Sequence, residues 1–328
     1  KFASWTYNQT WVTASGLKAG GSSWNNSFTM PSSLVDPETQ SIADPVNGSN
    51  GRDVPQATIY WSGCIEERDT GEPTTDFDPI PSDKLDLDID MIPNSDDSRW
   101  KPALPQLMFT RGTTSGTNWD GTSWTSGNTN NWSTAPITQN IDYANRSTFF
   151  CPTEARKLRS WADPSTFQSY VNSLTPTGNT YHDIGIIWGA ALMSPTGIFG
   201  SENRVTPNGG EIERHMIFMT DGDTNANAGD YTAYGLPFFD HRQTLENPTK
   251  AQLDEQVNLR FLAICQWVRN KNITLWVINF GEGQSQATLD RLEQCASDGR
   301  YFSAADSSEL QSTFKSIADQ ISQLRLTR

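Results

Sequence analysis

The sequence predicts an α/β protein: a doubly wound, mostly parallel sheet with helices on both faces, interrupted by a long, irregular, β-rich insertion. Three observations predict it. Two continuous apolar runs, RHMIFMT at 214–220 and ITLWVINF at 273–280, have the length and composition of strands buried on both faces. Apolar stripes at helical spacing precede, separate and follow them. Residues 152–328 therefore alternate strand and helix, which calls for parallel pairing through crossover helices. Residues 1–151, by contrast, carry short β-like runs in a background of Gly, Ser, Thr, Asn, Pro and Trp. The expected organisation is an insertion over 1–151 and the C-terminal part of the sheet domain over 152–328.

Within the insertion, 5–14 and 57–65 read as short strands. KLDLDIDMI at 84–92 alternates strictly, with Asp86, Asp88 and Asp90 on one face and Leu85, Leu87 and Ile89 on the other, the signature of a half-buried strand. Residues 117–134, low in complexity, read as an irregular loop pinned by Trp119, Trp124 and Trp132. In the C-terminal half, Asp163-Pro164 supplies a helix N-cap and a first-turn proline, and Phe167, Tyr170, Val171 and Leu174 share one face. A second helix covers YHDIGIIWGAALM, with Ile184, Ile187, Trp188, Ala191 and Leu192 at helical spacing. A long helix over roughly 252–269 carries Val257, Phe261, Ile264, Cys265 and Val268. A short helix follows at about 286–296, then a strand near Tyr301. The last helix opens at Asp306 with Glu309 as capping-box partner, and its stripe is Leu310, Phe314, Ile317, Ile321 and Leu324.

Composition removes several functions. The net charge of −14 and pI near 4.6 fit poorly with non-specific nucleic-acid binding, which depends on Lys and Arg releasing counterions. They also argue against docking on anionic lipid through a polybasic patch. No apolar stretch is long enough to span a membrane. Hydrophobic residues at 35% suffice for a core, but the mean hydropathy of −0.58 shows that it is diluted by polar insertions. Cys64, Cys151, Cys265 and Cys295 lack the C-x-x-C spacing of zinc or redox sites, so two disulfides in an exported protein are expected. Four cysteines allow three pairings. The layout favours Cys64–Cys151, bracketing most of the insertion, and Cys265–Cys295, on consecutive helices.

In a parallel sheet the binding crevice lies beyond the carboxyl ends of the strands. The run 214–220 leads straight into Asp221-Gly222-Asp223-Thr224-Asn225, so Asp221 emerges there, able to bind a hard cation directly or through water. Gly178-Asn179-Thr180 precedes a helix, and the Thr180 hydroxyl could either cap that helix or serve as an oxygen ligand.

GNT at 178–180, FMTDG at 218–222, WVINFGEG at 276–283 and the ending YFSAADSSELQSTFKSIADQI, in that order, resemble a von Willebrand factor A domain over about 150–328. WSGCIEER at 61–68, DIDMIPNSDDSRWKP at 88–102, FFCPTEARKL at 149–158, GNTYHDIGIIWGAALMSPTGIF at 178–199 and ISQLRLTR resemble TadG-like proteins of bacterial tight-adherence (Flp) pilus assembly. These matches extend the similarity from about 57 to 328. The resemblance implies a non-enzymatic adhesion or assembly module that is exported to the periplasm, cell envelope or cell surface of a bacterium. It would bind a protein partner in the envelope or pilus. Thr180 and Asp221, with Asp223 behind them, would contribute to a site for Mg²⁺ or another divalent cation.

One part of the family pattern is missing. No Asp in the chain begins a D-x-[ST]-x-[ST] motif, and no long apolar strand precedes residue 57. The expectation is a C-terminal portion of a longer product, whose remainder, either a separate non-covalently attached chain or a part not resolved, supplies the first strands and that loop. The other reading has residues 1–56 supply a substitute strand beside a degenerate site, which would make the chain a structural subunit of a surface fibre or envelope complex. An enzyme is the weakest reading, because neither G-x-S-x-G nor H-E-x-x-H occurs.

Overall fold

The computed structural model describes residues 63–103 and 151–326, except 207, 229, 236, 246 and 247, together with the backbone of six short strands between residues 4 and 60. Those strands form antiparallel pairs. β1 (Ser4–Thr6) pairs with β2 (Trp11–Thr13), β3 (Ser27–Thr29) with β6 (Thr58–Tyr60), and β4 (Ile42–Asp44) with β5 (Ser49–Arg52). The expected Trp-rich loop at 117–134 lies outside the described residues.

The chain divides into two compact units, each assembled from three segments: 1–74, 82–178 and 227–253 in the first, and 75–81, 179–226 and 254–328 in the second. In the first unit, β7 (Ile65–Glu66) pairs antiparallel with β8 (Lys101–Pro102), and the Cys64–Cys151 disulfide sits beside them. The unit is held by buried charge. Glu66 lies 3.3 Å from Arg242 and also accepts the Tyr231 hydroxyl, while Arg242 donates to the Glu67 and Arg68 carbonyls at 2.6 Å each. Glu67 accepts the Trp100 indole N–H at 3.1 Å, and the Arg68 guanidinium stacks 4.6 Å above that ring. Buried ions persist when paired and hydrogen-bonded, as Glu66 and Arg242 are.

The strand expected at 84–92 does not form. The chain makes a 3-10 turn at Leu85–Leu87 and continues in turns. Leu87 and Ile89 are buried as the alternation predicted, but so is Asp86. Arg68 explains the difference: its Nη2 donates to the Asp86 and Asp88 carbonyls at 3.3 and 2.9 Å, and the Asp86 N–H goes to the Asp69 carbonyl at 3.1 Å. Backbone groups that a strand would give to a neighbour are engaged locally.

The helix α1 (Pro164–Ser173) also belongs to this unit, and the Asp163 carboxylate caps it by accepting the Ser165 N–H at 2.8 Å. Its apolar stripe buries nothing. The short α4 (Pro237–Asp240) and the first turn of α5 (Lys250–Asn270) complete the described helices of this unit.

The second unit contains a three-stranded parallel sheet in the order β11 (Tyr301–Ala304), β10 (Ile273–Phe280), β9 (Arg214–Thr220). The α/β class is therefore as expected. α2 (His182–Met193) and the short α3 (Gly200–Asn203) precede β9, α5 crosses to β10, α6 (Gln286–Cys295) crosses to β11, and α7 (Ser307–Leu326) ends the unit. Gly185 and Gly189 let α2 lie against β9: a Cβ at either would meet Phe218 or Met216 at about van der Waals distance. From α5, Phe261 reaches the same face, its ring 4.9 Å from Phe218. α7 covers the opposite face, where Trp276, Ile278 and Ile317 form a buried cluster bordered by Phe302, Leu310 and Ile321. The Cys265–Cys295 disulfide joins α5 to α6, with both residues buried.

β10 is the buried central strand. β9 is not buried on both faces, contrary to expectation. Ile217 pairs in register with the fully buried Trp276, and Met219 with the fully buried Ile278, yet Ile217 is 40% and Met219 48% exposed. The reason is position: β9 is the edge of the described sheet, and α7 covers β10 but not its neighbour.

Candidate functional site

Three loops gather at the carboxyl ends of β9 and β10. The loop before α2 and the loop after β9 are joined by a two-way backbone bridge: Thr180 N–H donates to the Asn225 carbonyl at 3.2 Å, and Asn225 N–H to the Thr180 carbonyl at 3.0 Å. The structure thus brings together the two segments singled out from the sequence. The third loop, 281–285, turns at Gly281 and Gly283, whose φ values of 83° and 102° favour glycine. Gln284 Nε2 reaches back to the Asp221 carbonyl at 2.9 Å.

Asp221 is exposed at the end of β9, and no hydrogen bond or ion pair to its carboxylate is found among the described residues. Asp223 is committed elsewhere. Its carboxylate accepts the Ser285 N–H at 3.1 Å and the Ser285 hydroxyl at 3.2 Å, next to the N-terminus of α6. Desolvation pushes its pKa upward, but hydrogen bonds from Thr288 and Ser285 and the Arg291 charge outweigh that and hold it below the usual carboxylate range. Thr180, at the bridge, is half-buried.

Beneath the loops lies His182, which the sequence reading did not single out. It is buried, with Nε2 3.0 Å from the Thr220 hydroxyl and Nδ1 3.2 Å from that of Thr224. Thr224 in turn donates to Asn258 Oδ1 of α5 at 2.6 Å, so its proton is used and His182 Nδ1 is the donor in their contact. The Thr220 hydroxyl also lies 3.3 Å from the Gly222 carbonyl, to which it can donate. Desolvation, aided by the Arg291 charge, lowers the His182 pKa to about 4, so the ring is neutral near pH 7. Next to it, the buried Asp183 carboxylate lies 3.8 Å from the equally buried Arg260 of α5, whose guanidinium sits 5.7 Å from the Phe77 ring centroid. From α5, Asp254 accepts the Ala226 N–H at 2.8 Å. The only local sequence signal for His182 was a polar residue one turn from a glycine–threonine loop at the start of an otherwise apolar helix.

A divalent cation fits this donor set only in part. Among the described residues no three His, Cys, Asp or Glu side chains converge. Asp221 and Thr180 offer two oxygens where Mg²⁺ takes six, and Asp223 already holds α6. The chain matches no known family, no curated protein and no solved structure.

Proposed function

We propose that this chain is a non-enzymatic, exported adhesion or assembly module of a bacterial envelope, TadG-like, built on a doubly wound von Willebrand A-type sheet. It engages a protein partner at the crevice formed by the three loops. The observation that carries this reading is the Thr180–Asn225 bridge, which fixes the two loops named by the resemblance side by side at the carboxyl ends of a parallel sheet. The two disulfides, Cys64–Cys151 and Cys265–Cys295, are consistent with export. No helix among the described residues is long and apolar enough to cross a membrane.

Asp221 and Thr180 are this chain's share of a hard-cation site, with Asp223 behind them positioning the 281–285 loop. The cation, when bound, would supply a positive centre for a partner carboxylate. The other oxygens would come from water and from a further segment. The position of β9 at the edge of the described sheet supports such a segment, because strand addition there would pair its outward backbone groups.

A second reading, a structural subunit with a metal-free site, is favoured by Asp223, whose carboxylate is used internally. Native mass spectrometry of the purified protein with and without EDTA, followed by denaturing mass analysis, separates the two. One divalent ion, lost in EDTA and in Asp221→Ala, together with a companion polypeptide, would support the first. A lone 36.4 kDa chain with no ion would favour the second.

A further inference from the structure

We propose that Asp221-Gly222 is a site of spontaneous covalent modification, where the aspartate cyclises to a succinimide and reopens as isoaspartate. The proposal does not depend on what the crevice binds. In the first step the Gly222 amide nitrogen attacks the side-chain carboxyl carbon of Asp221. A C–N bond forms, a C–O bond breaks, and the acid's hydroxyl leaves with the amide hydrogen as water. In the second step water adds to one of the two ring carbonyls and the corresponding C–N bond breaks. Opening on one side restores aspartate, and opening on the other gives isoaspartate. No oxidant, reductant or enzyme takes part.

The reacting atoms are left open by the fold. Asp221 is exposed, and no hydrogen bond or ion pair to its carboxylate is found among the described residues, so the carboxyl can turn onto its own backbone. The Gly222 N–H is loosely held: the Thr220 hydroxyl lies 3.4 Å away, beyond the usual range. A Cβ at Gly222 would meet nothing within 4 Å, and its φ lies outside the left-handed region. Neither space nor backbone conformation therefore calls for glycine here, and its effect is to leave the attacking nitrogen unshielded. The dipeptide is pinned through its carbonyls instead, by Gln284 Nε2 at 2.9 Å from that of Asp221 and the Thr220 hydroxyl at 3.3 Å from that of Gly222. Neither pin touches the atoms that react.

The other candidate steps among the described residues are restrained. In Asn208-Gly209 the Gly209 N–H donates to the Thr206 carbonyl at 2.8 Å, in a turn also closed by Thr206 N–H to the Gly210 carbonyl at 2.9 Å and Gly210 N–H to Thr206 Oγ1 at 2.8 Å. Asp298-Gly299 sits in a turn closed by Arg300 N–H to the Ser297 carbonyl at 2.8 Å, and the nearby Arg269 charge favours the ionised, unreactive carboxylate of Asp298. Asp223 is followed by Thr224 and holds Ser285. Isomerisation at Asp221 would route the main chain through its Cβ and hang the carboxylate on Cα. The carboxylate would then leave the position β9 gives it, between Thr220, held by His182, and the Gln284 contact.

The test is ageing of the full chain at neutral pH and body temperature in oxygen-18 water, folded and in urea, with isoaspartate located by peptide mapping. Isoaspartate carrying one oxygen-18 should accumulate at Asp221 about as fast in the folded chain as in urea. At Asn208 folding should suppress the reaction strongly. Gly222→Ala should keep the wild-type melting temperature, because its Cβ meets nothing, and should lose the isoaspartate at Asp221 while other sites are unchanged. The comparison of folded with unfolded chain needs no variant. Absence of isoaspartate at Asp221 in the folded chain, suppression there as strong as at Asn208, or an undiminished signal in Gly222→Ala would overturn the proposal.

Discussion

His182 Nε2 lies 3.0 Å from the hydroxyl of Thr220, the last residue of β9, and this contact joins the start of α2 to the end of the strand that presents Asp221. The imidazole is buried and neutral, with its pKa lowered to about 4. The unfolded chain takes up its proton near pH 6.5, so between about 6.5 and 4 the unfolded state binds more protons than the folded one. Stability is therefore undiminished by this group above pH 6.5 and falls as pH drops toward 4, by up to about 3 kcal/mol. Urea unfolding across that range should show the slope, and His182→Gln should flatten it. An unchanged slope in the variant would contradict the burial.

The Asp183–Arg260 pair is the most deeply buried ion pair among the described residues of its unit. Removing one partner strands a charge, at a cost of about 3–5 kcal/mol. Asp183→Ala and Arg260→Ala should each show this in chemical denaturation, whereas the double variant should lose less than their sum. Additive losses would mean that the two charges do not interact.

Asp223 anchors the 281–285 loop beside the N-terminus of α6, so Asp223→Ala should cost about 1 kcal/mol, as loss of a helix cap does. Its carboxyl is held below the usual range, so its contribution is complete above the unfolded-state pKa and disappears as pH falls through the folded one. A variant equally stable at neutral pH would show that Ser285 needs no acceptor.

The disulfides should differ in reactivity. Cys265 and Cys295 are fully buried, whereas Cys64 and Cys151 are partly exposed. Mild reduction with alkylation and mass mapping should label Cys64 and Cys151 first. Each bridge closes a loop, 30 residues apart in one case and 87 in the other, and loss of either should cost roughly 4 kcal/mol in the chain-entropy model.

Met216 and Met219 stand on opposite faces of β9, one buried and one 48% exposed. Met216→Ala should therefore cost about 2–5 kcal/mol and Met219→Ala no more than about 0.5. A large loss at Met219 in the isolated chain would show that this face is already covered.

Strands β9 and β10 were legible to the residue, because a run of β-branched and long apolar side chains between polar loops has few alternatives. The stripe of α5 was equally clear: Val257, Phe261, Ile264, Cys265 and Val268 are all buried. The run at 84–92 misled, because its alternation came from aspartates whose carbonyls a distant arginine, Arg68, collects. Exposure of Ile217 and Met219 could not be read from RHMIFMT, since an edge strand and a central strand of the same composition differ only in their neighbours. The place of Asp221 at the end of β9 followed from topology. His182 did not, because its role depends on Thr220 and Thr224 meeting it from the end of β9 and the loop beyond, with Asn258 of α5 accepting from Thr224.

Both compact units are stitched from alternating stretches of chain, with the seven residues 75–81 belonging to the second unit while both flanks belong to the first. No single contiguous reading frame encodes either unit. A ribosome moving from the N-terminus must deliver residues up to 253 before the first can close, and must finish nearly the whole chain before the second can. A cut anywhere between residues 75 and 253 leaves both units incomplete in either fragment, so such fragments should be degraded or aggregate. Until residue 253 has emerged neither unit can close, a state compatible with threading through a translocation channel before folding.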